Sequence, residues 1–78
     1  MKNVNTGTVV NIKELFITNN FWEYFITDNQ FSDDIVCAVV RGFETEMGDV
    51  ILSEIKPYTM CHTKDLSEVM PAPGWEWV

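Results

Sequence analysis

Phe21-Trp22-Glu23-Tyr24-Phe25-Ile26-Thr27, then Asp28-Asn29-Gln30-Phe31-Ser32-Asp33-Asp34, then Ile35-Val36-Cys37-Ala38-Val39-Val40: this stretch decides the fold. The first run is rich in aromatic and β-branched residues and reads as a strand. Trp22, Tyr24 and Ile26 share one of its faces, and Phe21 and Phe25 share the other with Glu23 and Thr27. The middle run carries turn chemistry. The last is apolar at every position, as a strand covered on both faces should be.

Downstream, Arg41-Gly42 ends that strand and Gly48-Asp49 restarts the chain into Val50-Ile51-Leu52. The five residues between the glycines fit a hairpin loop. Ser53 is placed to cap a helical turn that Pro57 stops. A second short helix is expected from Thr63 to Val69, with Asp65 in its first turn. Met70-Pro71-Ala72-Pro73-Gly74 cannot continue it. The tail Trp75-Glu76-Trp77-Val78 alternates as an added strand would. Upstream, Asn11 and Glu14 have the spacing of a helix-capping box, although Thr8-Val9-Val10 reads equally as a strand. Residues 1–8 read as a loose arm or an edge strand.

These elements predict an α+β fold: an antiparallel meander of three strands, or slightly more, with one or two short helices. The chain of 78 residues is long enough for one small domain. The 46% apolar fraction and the ten aromatics (Trp 3, Tyr 2, Phe 5) give it a core to bury.

The formal net charge is −7. Between Glu14 and Glu54 stand nine acids and a single base, Arg41, so this segment alone carries −8. The ends are close to neutral. Such a charge excludes a conventional nucleic-acid binder, which needs a cationic surface to displace counterions from phosphate. The same acids serve as a solubilising surface or as a patch that meets a basic partner.

Chemistry is sparse. Cys61 and His62 are adjacent, so on a helix or a strand they point apart, and no third group completes a triad. Cys37, Cys61 and His62 lack zinc spacing, and the glycines Gly7, Gly42, Gly48 and Gly74 are too scattered to cradle phosphate. Two free thiols are expected. Asp33/Asp34 and Glu44/Glu46 fall in expected loops, as ionised side chains rather than a catalytic pair. No cofactor or metal is expected. No apolar run approaches the ~20 residues that span a bilayer, and Met1-Lys2-Asn3-Val4-Asn5 leads into no signal-peptide core, so a cytoplasmic protein is expected.

The run Gly42-Phe43-Glu44-Thr45-Glu46-Met47-Gly48-Asp49-Val50-Ile51-Leu52-Ser53-Glu54-Ile55 resembles the core of an uncharacterised family of short proteins carried by plasmids and conjugative elements. That family follows a Trp-x-Tyr strand and a second apolar strand with a Gly-x-Glu-x-Glu-x-Gly turn and a Leu-Ser-Glu-Leu step. Here Trp22-Glu23-Tyr24 and Leu52-Ser53-Glu54-Ile55 match, and the likeness spans residues 21–56. It implies a mobile-element setting, where small acidic non-enzymatic proteins resemble inhibitors of host defence, anti-CRISPR proteins and DNA mimics among them.

The expected function is therefore non-enzymatic: an acidic face occludes the basic nucleic-acid-binding surface of a host protein. Asp33, Asp34, Glu44, Glu46 and Asp49 are the expected contacts, with Arg41 orienting a carboxylate. Trp75 and Trp77 either dock on the domain itself or anchor the partner. Neither nucleic acid nor membrane is bound directly. The alternative is a structural or regulatory subunit of a mobile-element complex.

Overall fold

A computed structural model describes all 78 residues. The strands are β1 (Lys2–Asn3), β2 (Ile12–Thr18), β3 (Glu23–Gln30), β4 (Ile35–Arg41), β5 (Thr45–Ile51), β6 (Thr59–Thr63) and β7 (Trp75–Glu76). One short helix, α1 (Leu52–Ile55), leads into a 3₁₀ turn, Lys56–Tyr58. Strands β2 to β6 form one antiparallel sheet in the order β5-β4-β3-β2-β6, and β1 pairs with β7 in a small second sheet. The fold is thus α+β, with more strands than the three-strand meander, which survives inside it as β3-β4-β5.

Strand alternation builds two cores. Leu15, Phe25 and Val39 face one way, beneath Met1, Ala72 and Trp75. Phe16, Ile26, Val36 and Ala38 face the other, beneath Ile55 of α1. Phe25, Ala38 and Val39 are fully buried, which accounts for the unbroken apolar run in β4. Its two faces are covered by different parts of the chain.

Four local expectations are corrected. The Asn11 capping box opens no helix, because Leu15 and Phe16 bury on opposite faces only if β2 is extended. The hairpin between β4 and β5 is tight: Gly42 N donates to Glu44 O at 2.9 Å, and Gly48 lies within β5 opposite Ala38. Ser53 is not the cap of α1: Ile51 holds that position without a side-chain bond, and the acceptor comes from Asp34. Its Oδ1 accepts from Ser53 N at 2.9 Å, and Pro57 sits inside the following 3₁₀ turn instead of ending the helix. The expected helix 63–69 is absent. Thr59–Thr63 pairs with β2 as the second edge strand, which gives Phe16 a cross-strand partner in His62.

The two ends are tied together. Lys2 and Asn3 pair with Glu76 and Trp75, so residues 1–8 include a paired strand, and the tail strand joins this small sheet rather than the main one. No helix is long and apolar enough to cross a membrane.

Candidate functional site

One ion pair and one histidine–carboxylate contact occur in the fold. Arg41 Nε meets Glu23 Oε1 at 3.1 Å, and His62 Nε2 meets Glu14 Oε1 at 2.6 Å. Arg41 holds the carboxylate of Glu23, which is not one of the expected contacts, and its Nη2 also donates to the carbonyl of Phe21 at 2.6 Å. Asp28 accepts from Asn11 Nδ2, and Asp34 holds Ser53. Glu14, Glu23, Asp28 and Asp34 are therefore engaged within the fold. Asp33, Glu44, Glu46, Asp49 and Glu54 are exposed, and their side chains take part in none of its hydrogen bonds or ion pairs.

The five expected acids do not share a face. Glu46 lies on the α1 side of the sheet, in register with Val40, while Asp49 lies on the other side, opposite Cys37. Glu44 is at the hairpin tip. Asp33 and Asp34 are in the β3–β4 turn, beyond the other end of β5. What unites them is an edge. From Glu44 to Leu52 an extended chain covers about 27 Å. Asp34 accepts from Ser53 of α1, which leaves Asp33, Glu44, Glu46 and Asp49 as the uncommitted acids along this rim.

That edge is open. Strand β5 has β4 on one side and nothing on the other. Its ladder runs through seven consecutive pairs without a register shift, unlike the other three ladders of the main sheet. The bonds from Gly42 N to Glu44 O and from Leu52 N to Asp34 O bracket the ladder and set its phase. Glu46, Gly48 and Val50 thus turn their backbone groups toward β4, while those of Thr45, Met47, Asp49 and Ile51 point off the sheet. No lysine, proline or bulge guards the strand, the usual devices against edge pairing. Its acids alone discourage a second copy.

An apolar hollow of about 360 Å³ adjoins this edge, lined by Trp22, Val40, Gly42, Phe43, Glu44 and Glu46. Trp22 and Phe43 meet edge to face, with ring centroids 5.6 Å apart and planes at 81°. Phe43 is 96% exposed at the turn. A second hollow continues from Trp22, Val40 and Glu46 past Tyr24 to Val50. The phenol of Tyr24 is held above its ordinary range by desolvation there. Trp22 is half-buried on the strand face it shares with Tyr24, and Phe43, at the turn, is not among the expected site residues. The available signal was an aromatic residue directly after a turn glycine.

The two tail tryptophans dock on the chain itself. Trp75 is buried in the cluster that holds Phe25 and Val39, so it is core and not an exposed anchor. Trp77 meets the ring of Phe25 at 6.4 Å and donates from Nε1 to the Val69 carbonyl at 2.7 Å.

Cys61 and His62 point to opposite faces of β6, and His62 stacks on Phe16 at 4.2 Å. Nowhere do three His, Cys, Asp or Glu side chains converge as metal ligands would.

Comparison with known proteins gives no match. No family model, curated protein or solved structure aligns with the chain. The acidic edge and its aromatic hollow thus stand on their own geometry.

Proposed function

We propose that this protein is a non-enzymatic inhibitor that binds another protein and occludes its basic nucleic-acid-binding surface. One observation carries the reading: Glu44, Glu46 and Asp49 lie exposed along an open strand edge, while Arg41 and His62 engage other acids. A carboxylate without an internal cation is available to an external one. An open edge also offers main-chain partners to an extended segment.

Charge density favours occlusion over imitation of DNA. Four uncommitted acids over about 27 Å give one charge per ~7 Å, whereas duplex DNA carries one per ~1.7 Å. The acids steer and orient; the body of the domain blocks. The resemblance over residues 21–56 supports a mobile-element setting for this activity, with a host defence protein in the cytoplasm as the partner class, in the manner of an anti-CRISPR protein.

The test uses the immobilised full chain and a host fraction of heparin-binding proteins. A defined basic protein should be retained at low salt and released at high salt, lose its nucleic acid when bound, and fail to bind Glu44→Lys/Glu46→Lys. Binding indifferent to salt and to this double variant would sink the reading. A structural or regulatory subunit is the second reading, favoured by the two open edges β5 and β6. Light scattering of a stable stoichiometric assembly that leaves nucleic-acid binding intact would select it.

A further inference from the structure

We propose that the hollow lined by Trp22 and Phe43 is a seat for one arginine side chain of the partner. The inference rests on the reading above, since it names the group that the acidic edge receives. At about 360 Å³ the hollow is near the lower end of the ~300–1,000 Å³ of ligand pockets, a size suited to a side chain rather than a large cofactor.

Its walls are aromatic and its rim is anionic. Trp22 and Phe43 present ring surfaces at 81° to each other, and half-buried Val40 and Gly42 and exposed Glu44 and Glu46 complete the lining. Ring faces attract a cation through their quadrupoles, and carboxylates attract it directly. The nearest base in the sequence cannot fill the site. Arg41 alternates to the other side of the sheet, where Glu23 and the Phe21 carbonyl hold it.

Guanidinium fits better than ammonium. Its plane can lie on one ring while its N–H edge donates to both carboxylates, and it sheds water more readily. Phe43, 96% exposed, makes its aromatic contact within the fold with Trp22, which also lines this hollow, and so leaves most of its own ring open. Gly42 is what lets the indole lie so close. A Cβ there would come within 2.7 Å of three ring atoms of Trp22.

The experiment is a titration of the isotope-labelled full chain with N-acetyl-arginine-N′-methylamide, followed by amide NMR. Saturable shifts should be confined to the Trp22 indole N–H and the Gly42–Glu46 amides. The neutral citrulline analogue should be at least about tenfold weaker, because it keeps the length and loses the charge. Phe43→Ala, which changes an exposed side chain and whose fold the same spectra check, should weaken binding about two- to fivefold. Glu44→Gln/Glu46→Gln should weaken it about tenfold or more.

No saturable shift at these residues, or an equal response to citrulline, overturns the seat. The two proposals also fail separately. Arginine binding with no capture of a basic protein supports the seat and removes the inhibitor reading. Salt-sensitive capture that Phe43→Ala leaves unchanged, with a silent arginine titration, supports the inhibitor reading and removes the seat.

Discussion

The indole of Trp22 lies directly over the α-carbon of Gly42. A Cβ built on that glycine would sit 2.7 Å from Cη2, Cζ2 and Cζ3 of the ring. The glycine's role here is closeness of approach rather than turn geometry. It brings the residue before β3 against the residue after β4 and forms one side of the aromatic hollow.

Gly42→Ala should therefore displace Trp22 and cost about 1–3 kcal/mol, the range of an overpacked contact. Urea denaturation followed by circular dichroism measures it. In a Trp22→Ala background the same change should cost much less, because the clash is gone. Equal costs in both backgrounds would show that the contact is not the cause.

Asp33 and Asp34 are adjacent acids with different roles. Asp34 holds the first turn of α1 through Ser53, whereas the carboxylate of Asp33 engages no group of the fold. Asp34→Ala should lower stability by about 1 kcal/mol. Asp33→Ala should stay within about 0.5 kcal/mol, as for a surface change. Chemical denaturation of both variants separates them, and a reversed order would refute the contribution of that contact.

Cys37 and Cys61 are free thiols on strands β4 and β6. Three strand spacings separate them, about 14 Å, well beyond the Cα separation that a disulfide bridges. An aromatic disulfide reagent should modify exposed Cys61 at once and half-buried Cys37 slowly. Mass spectrometry after mild oxidation should find no internal crosslink. Fast formation of a Cys37–Cys61 bond would contradict the register of the sheet.

Burial holds the Tyr24 phenol above its ordinary value of 10.0. Unfolding returns it to that value, so the folded chain gains from keeping the phenol neutral. That contribution is complete below pH 10.0 and is lost as the pH rises through the raised value. Stability of the wild type should thus fall more steeply in alkali than that of Tyr24→Phe. Parallel denaturation midpoints across the alkaline range would remove Tyr24 as the cause.

Much of the sheet was legible before the structure. The run 21–40 shows two strands and the turn between them, because an aromatic, β-branched run and an unbroken apolar run either side of turn residues both suit strands. Segment 11–18 did not yield in the same way. Asn11 and Glu14 offer a helix start, and only the partners of Leu15 and Phe16, on β3 and β6, select the strand. Residues 59–63 are similar. Thr59-Met60-Cys61-His62-Thr63 is weakly patterned, and its pairing depends on β2, more than forty residues earlier.

The acidity of the central segment is a property of the sequence alone: nine acids and one base follow from composition, whatever the fold. Which of those acids remain available did not follow from it. Asp34 and Asp33 are identical neighbours in the chain, yet a contact nineteen residues away engages only one of them. Trp75 and Trp77 alternate in the tail and both dock on the domain, but only the first is buried in its core. Local pattern determines strands and charge because both are short-range. Burial, capping and the hollow over Gly42 join residues distant in sequence, so only the tertiary structure decides them.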